Sequence, residues 1–119
     1  MKITRISSSV KGRSDAVSCN GTVYVVAYDP VAADGIEAQT HNALQFLDQK
    51  LAQVGSDRTG LLQVTIFLSD MSMKARMDVV WCDWIGPKEN WPQRACVGAD
   101  LGDDVTLIEI TAIALQTEV

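Results

Sequence analysis

The C-terminal stretch WPQRACVGADLGDDVTLIEITAIALQ, residues 91–116, decides the fold because it holds two alternating runs separated by a turn. The Gly and the paired Asp residues of ADLGDDV are typical of a tight connection, so RACVGADL and VTLIEITAIAL are predicted to pair as an antiparallel hairpin. In that pairing Glu109 lies opposite or near Cys96, on the same face as Arg94. Charged side chains are unusual in such apolar runs. Arg94 and Glu109 therefore form either a structural ion pair or part of a binding site.

Three further stretches have the patterns of strands. MKITRI alternates between polar and apolar residues, which predicts a short strand. Two β-rich runs flank Asn20-Gly21, a dipeptide that favours a hairpin because both of its residues tolerate a positive φ. LLQVTIFLSD is an apolar run that is rich in branched residues and short for a helix, which indicates a buried strand.

Two helices are predicted from apolar residues that recur at intervals of three and four. The first runs from about residue 36 to residue 54, and we expect Gln39, Asp48 and Lys50 on its outward side. The second spans residues 71–85 and ends at a Gly-Pro pair, which cannot continue a helix.

The element order β, β, β, α, β, α, β, β predicts an α+β domain, or an α/β sandwich, with a mixed sheet and both helices on one face. Alternate residues of the last strand form two rows, and both rows are mainly apolar. Two helices cover only one face of such a sheet, so the second row must be buried against something else, most economically another copy of the chain. We therefore predict an oligomer that is built through the open face of the sheet.

The composition argues against several classes of function. The 119 residues fit a single domain, 1–119, and a formal net charge of −5 with dispersed Lys and Arg leaves no basic stripe for nucleic acid. The N-terminus has no apolar leader, and no segment approaches the roughly 18 apolar residues that a membrane span needs. The three cysteines are widely spaced without a CxxC pair, which indicates reduced thiols in a cytoplasmic protein.

Several motifs follow one another in a specific spacing. Pro92-x-Arg94 is followed by CV, a turn at Leu101 and VTLIEITAIA, which places Glu109 fifteen residues after Arg94. Upstream lie NGTVYV, ALQFLDQKLAQVGS and LLQVTIFLSDM, in matching order. In these pieces, which span nearly the whole chain, the sequence resembles the Rid family, also called YjgF or reactive-intermediate deaminase proteins.

The resemblance implies a chorismate-mutase-like fold and a homotrimer whose sheets form a central barrel with clefts between subunits. Members that carry the arginine hydrolyse 2-imino or 2-enamino acids, released by pyridoxal-phosphate enzymes, to 2-oxo acids and ammonia. By this resemblance Arg94 binds the substrate carboxylate through its planar fork. Glu109 orients or activates the attacking water, and backbone groups at Cys96 help to hold the ligand. The resemblance implies neither a metal nor an organic cofactor.

The sequence departs from the family pattern in segments that line the pocket. Arg13 in KGRSDA stands where the best-known deaminases have the Tyr of GPYSQA, Val-Ala-Tyr28 replaces their SGQ, and Asp78 replaces an Asn on the second helix. Arg13, Tyr28 and Asp78 are therefore candidate substrate-binding residues in a divergent pocket. Arg13 either suits a substrate with another acidic group or forms a surface ion pair with Asp15 or Asp78.

Two further residues complete the candidate site. Trp91, directly before Pro92, is a candidate for the rim of the cleft. The thiol of Cys96 is expected to be inert, because no histidine lies near it in the sequence. Two classes of function remain open: an imine or enamine deaminase, and a non-catalytic trimer that binds small carboxylates in the same cleft.

Overall fold

A mixed sheet forms the body of the protein in the computed structural model, which describes residues 2–117. Within these residues there are six strands and two α-helices, in the order that the sequence predicts. They are β1 Ile3–Ser7, β2 Ser14–Cys19, β3 Thr22–Tyr28, α1 Ile36–Gln53, β4 Leu61–Leu68, α2 Lys74–Ile85, β5 Gln93–Gly98 and β6 Ile108–Leu115. Short 3-10 turns at Arg58–Gly60, Met71–Met73 and Lys88–Asn90 precede β4, α2 and β5.

The order of strands in the sheet is β1-β2-β3-β6-β4-β5, and all neighbours are antiparallel except β4 and β5, which are parallel. The predicted hairpin between the last two strands is therefore wrong. Helix α2 crosses over from β4 to β5, and a crossover of this kind brings its two strands together in parallel. The connection to β6 passes the end of β4, where Ala99 N donates to Leu68 O and Ser69 N donates to Leu107 O, each at 3.0 Å.

The first hairpin is confirmed. Strands β2 and β3 are antiparallel, with Cys19 opposite Thr22. The turn between them consists of Asn20, with φ of 52°, and Gly21, with φ of 81°. Two successive positive φ values match the twist of the flanking strands, which is why Asn-Gly is favoured at this place.

The core lies between the two helices and one face of the sheet. Helix α1 contributes a stripe of apolar side chains, and α2 adds Met77, Trp81 and Ile85. The sheet contributes alternate residues of β3, β4 and β6, because successive side chains of a strand point to opposite faces. They are Val23, Val25, Ala27, Val64, Ile66, Leu68, Ile108, Ile110, Ala112 and Ala114. The prediction that the helices cover one face is confirmed.

Of the three polar residues that were expected on the outward side of α1, Gln39 is buried and Lys50 is largely covered. Asp48 is partly exposed, but only 15% of the Lys50 side chain is exposed and only 2% of Gln39. Gln39 donates from Nε2 to Val105 O at 2.8 Å and accepts through Oε1 from Leu107 N at 2.8 Å. A buried amide with both ends satisfied fixes the backbone that leads into β6.

The other face of the sheet carries exposed apolar side chains. Tyr24, Val26 and Leu115 are among them, and Ile113 lies directly opposite Tyr24 in the register of β3 and β6. Neither helix covers this face, so the surface is suited to burial against another copy of the chain. Along residues 2–117, no helix has the length and apolar content that crossing a bilayer requires.

The first prediction concerns assembly through the open face. The protein should behave in light scattering as a trimer, with three times the mass of one chain. Ile113→Lys should lower that mass toward the monomer, because a charge on this face must be desolvated when copies pack together. Circular dichroism of the variant should still show the helices, since Ile113 lies outside the core between helices and sheet. A monomeric parent at micromolar concentrations, or an undisturbed trimer in the variant, would contradict this account.

Candidate functional site

Arg94 lies on the edge strand β5, where it pairs with the buried Val64 of β4 and points toward α2. Its Nη2 donates to Asp78 Oδ1 at 2.8 Å, and its guanidinium carbon lies 5.5 Å from the centre of the Trp81 ring. A hydrogen bond in the plane of the guanidinium and an aromatic ring beside it restrict its orientation. The side chain is 21% exposed, so the guanidinium is fixed and still accessible to a ligand.

Asp78 joins two cations. Its Oδ1 accepts from Arg94, and its Oδ2 accepts from Lys74 Nζ at 2.7 Å, one helical turn earlier on α2. Partial burial acts to raise the pKa of Asp78, but the hydrogen bonds from Lys74 and Arg94 outweigh it and hold the pKa below its usual range. The three groups carry a net charge of about +1 at neutral pH, which favours one further carboxylate.

Glu109 lies on the opposite face of the sheet. It is paired with Tyr28 on β3 and with Phe67 on β4, and it alternates with Ile108 and Ile110, which are buried under the helices. The expectation that Glu109 lies near Cys96 on the face of Arg94 is therefore wrong, because β4 separates β6 from β5. Within one copy of the chain, Arg94 and Glu109 point to different sides of the sheet.

Glu109 instead shares a cleft with Arg13 and Tyr28. This cleft has a volume of about 510 Å³, and it unites three of the residues that were selected from the sequence. The two carboxylates proposed as ion-pair partners of Arg13 both bind other cations: Asp15 pairs with Lys50 at 3.3 Å, and Asp78 pairs with Lys74 and Arg94. Arg13 lines the cleft together with four carboxylates, those of Asp15, Asp29, Asp103 and Glu109.

Asp29 shapes one wall of this cleft, and sequence reasoning missed it. Its carboxylate accepts from Val31 N at 2.8 Å and from Ala33 N at 2.7 Å, and it also binds Asn42 of α1 at 3.2 Å. These bonds fix the loop after β3 beside Tyr28. The signal was present, because an Asp-Pro pair after a strand is typical of a turn in which the carboxylate binds nearby backbone amides.

The remaining two candidates lie near Arg94. Trp91 is 60% exposed, and its Nε1 donates to Gly86 O at 3.0 Å. Cys96 is on the same face of β5 as Arg94 and packs against the core. Burial raises the pKa of the Cys96 thiol, so the thiol is protonated at neutral pH and is a poor nucleophile. Only its backbone groups are suited to bind a ligand.

The sequence and the fold of this chain are similar to those of known proteins. Residues 3–116 match the family described as Endoribonuclease L-PSP. The RutC family protein YoaB of Escherichia coli K12 is 34% identical over 115 residues, which cover 96% of this chain and 98% of YoaB. The structure of NMB1025, a YjgF family protein of Neisseria meningitidis, matches with a TM-score of 0.93 and 30% identity over 100% of this chain and 98% of that one. The structure of an uncharacterized protein from Pseudomonas aeruginosa matches with a TM-score of 0.88 and 32% identity. The match covers 97% of this chain and 99% of that one. The chain belongs to the YjgF/RutC family.

The second prediction concerns the pH dependence of the Asp78 network. Asp78→Asn should lower the free energy of unfolding at pH 7 by about 1 kcal/mol, because it removes the charge that Lys74 and Arg94 share. The pKa of Asp78 is lower in the folded state than in the unfolded state. Its charge therefore stabilises the folded state fully when the pH is above the pKa of the unfolded state, and this stabilisation is lost as the pH falls through the pKa of the folded state. The difference between parent and variant in urea unfolding should therefore narrow below pH 3.8, the ordinary value for this carboxyl.

Asp83→Asn is the matched control for this prediction, because it makes the same change at an exposed position of the same helix. Asp83→Asn should change the free energy of unfolding by less than Asp78→Asn does at every pH. A stability difference for Asp78→Asn that stays constant from neutral to acid pH would show that the charge of Asp78 is not involved.

Proposed function

We propose that this protein hydrolyses 2-imino and 2-enamino acids to 2-oxo acids and ammonia, in clefts between copies of the chain. The observation that carries the proposal is the fixed guanidinium of Arg94. Asp78 accepts from one of its terminal nitrogens, and a guanidinium has five N–H donors, so donors remain for the carboxylate of a substrate. Membership of a family whose arginine motif this chain retains supports the same assignment.

The site requires two copies, because Arg94 and Glu109 point to opposite sides of the sheet in one copy. The exposed apolar face that carries Glu109 is the surface expected to pack against a neighbour. In the proposed assembly, Arg94 of one copy and the cleft of Arg13, Tyr28 and Glu109 of its neighbour bind one substrate. This division explains why residues far apart in one sheet serve one reaction.

The proposed reaction adds water across the C=N bond. Arg94 binds the carboxylate of the imino acid, which fixes the position of C2. Glu109 accepts a proton from water as the water oxygen bonds to C2, and it passes this proton to the nitrogen to give a C2 hydroxyl and an amino group. Glu109 then accepts the proton of the C2 hydroxyl and delivers it to the same nitrogen as the C–N bond breaks, so ammonia leaves and the C2–O bond becomes the carbonyl of the 2-oxo acid. Glu109 thus acts as general base and then as general acid in both proton transfers.

Two other functions must be compared with the proposed one, an endoribonuclease and a non-catalytic carboxylate-binding protein. The family description names an endoribonuclease, but a net charge of −5 with dispersed cations does not favour binding to a phosphate backbone. A non-catalytic carboxylate-binding protein would use Arg94 in the same way, and the partial neutralisation of Arg94 by Asp78 is compatible with that role. Release of ammonia from enzymatically generated 2-iminopropanoate separates the enzyme from the binding protein.

The third prediction concerns Arg94. Arg94→Ala should weaken 2-oxo acid binding and slow ammonia release by roughly ten- to a hundredfold or more, because a charge-assisted pair is lost. Arg94→Lys should restore little, since an ammonium cannot make the two parallel bonds of the guanidinium. Arg76→Ala, which removes an exposed ion pair with Glu37, is the control and should leave both quantities unchanged. An Arg94→Ala variant that loses stability but still binds 2-oxo acids would assign Arg94 a structural role.

The fourth prediction concerns Glu109. Glu109→Gln keeps the shape of the side chain and removes its ability to accept a proton. Turnover should fall by about 10²-fold, as is typical when a general base is lost, while assembly and 2-oxo acid binding stay close to those of the parent. The measurements are ammonia release, light scattering and calorimetric titration with 2-oxobutanoate. Unchanged turnover would exclude Glu109 from the chemistry.

A further inference from the structure

We infer that an apolar groove beside Arg94 is a subsite for the substrate side chain, and that it makes the protein prefer 2-imino acids with an aromatic side chain. The inference rests on the proposed function, because it uses Arg94 as the group that binds the substrate carboxylate. The groove has a volume of about 340 Å³, which is within the range of ligand sites. Its apolar lining consists of Trp81, Cys82, Ile85, Trp91 and Pro92, and Arg94 and Asp78 provide the charged part.

The aromatic lining of the groove is held in place. Trp91 is 60% exposed, yet its Nε1 donates to Gly86 O at 3.0 Å, so the indole is fixed and its apolar surface remains open. Trp81 is buried and packs against Trp84 with ring centres 5.5 Å apart. Because Trp81 is only 5% exposed, Trp91 supplies the aromatic face that a ligand can reach. A restrained aromatic side chain binds a ligand at a low cost in conformational entropy, and its face favours another ring.

The charges define the polar end of the ligand. Arg94 attracts one carboxylate to the end of the groove that it lines. Asp78 lines the same groove, so a second carboxylate there would meet a negative charge. The groove therefore favours a ligand with one carboxylate and an uncharged ring. In a 2-imino acid the carboxylate and the side chain both attach to C2, which lets one molecule contact Arg94 and Trp91 together.

The test compares pyruvate with phenylpyruvate, which differ by a phenyl ring, in calorimetric titrations of the protein. The parent should bind phenylpyruvate at least about tenfold more tightly than pyruvate, because the phenyl ring loses its contact with water in the groove. Trp91→Ala should remove most of this difference, because it should weaken the binding of phenylpyruvate much more than the binding of pyruvate. Val79→Ala is the control, because Val79 is an exposed apolar residue of α2 that does not line the groove. This variant should keep the parent's preference.

A second readout uses the exposed thiol of Cys82, which lines the groove. Phenylpyruvate should slow alkylation of Cys82 by iodoacetamide, measured by mass spectrometry, whereas pyruvate at equal saturation should not. Cys19 does not line the groove and serves as the reference thiol in the same digest. Protection of Cys82 by both ligands alike, or by neither, would overturn the assignment of the groove.

The outcomes separate this inference from the proposed function. Equal affinities for pyruvate and phenylpyruvate, both dependent on Arg94, would overturn the subsite and leave the proposed function intact. If the parent binds neither compound, Arg94 is not a carboxylate-binding group and both proposals fail. If Trp91→Ala instead dissociates the assembly, Trp91 belongs to a contact between copies and the subsite is excluded.

Discussion

The position of β6 between β3 and β4 is the constraint on which the candidate site depends. It buries Ile108 and Ile110 under the helices, and by alternation it turns Glu109 to the other side of the sheet. The same topology leaves β5 at an edge, where Arg94 reaches α2 but cannot reach Glu109 through β4. A site that uses both residues must therefore be completed by a second copy. The apolar open face supplies a physical reason for that copy to bind.

Asp78 has opposing effects on the proposed function. It holds Arg94 in one orientation, which reduces the entropy that a ligand must remove on binding. It also competes for the guanidinium and lowers the net positive charge at the site. Lys74 moderates the competition because it occupies the other carboxylate oxygen. The network thus presents Arg94 as a restrained cation that is still partly exposed.

Local features of the fold were predictable from the sequence, and pairings between distant residues were not. Periodicity and turn chemistry are visible within short segments of sequence. They were enough to predict the Asn20-Gly21 hairpin, both helices and the order of the elements. The neighbours of β5 and β6 depend on the crossover through α2, and the Gly and Asp residues after β5 falsely indicate a tight hairpin turn. The burial of Gln39 was missed because two of its three partners, Val105 and Leu107, lie more than sixty residues away.

The same distinction applies to the candidate site. Arg94, Glu109, Arg13 and Tyr28 were identifiable as candidates, but their division between two sides of the sheet follows from topology. Asp78 is a candidate ligand contact from the sequence, whereas in the fold its carboxylate pairs with Lys74 and Arg94. Ion pairs between a helix and a strand depend on the packing angle and register, which composition and spacing do not specify.

The most direct test of a site shared between copies is subunit complementation between Arg94→Ala and Glu109→Gln. Each variant alone should be nearly inactive, and the two should be unfolded together and refolded as mixed trimers. If Arg94 and Glu109 of one cleft come from different copies, each mixed trimer regains one intact cleft, and random mixing restores about a quarter of the parent activity. If both residues of a cleft came from the same copy, every cleft would carry a defect and mixing would restore nothing, which would contradict the account.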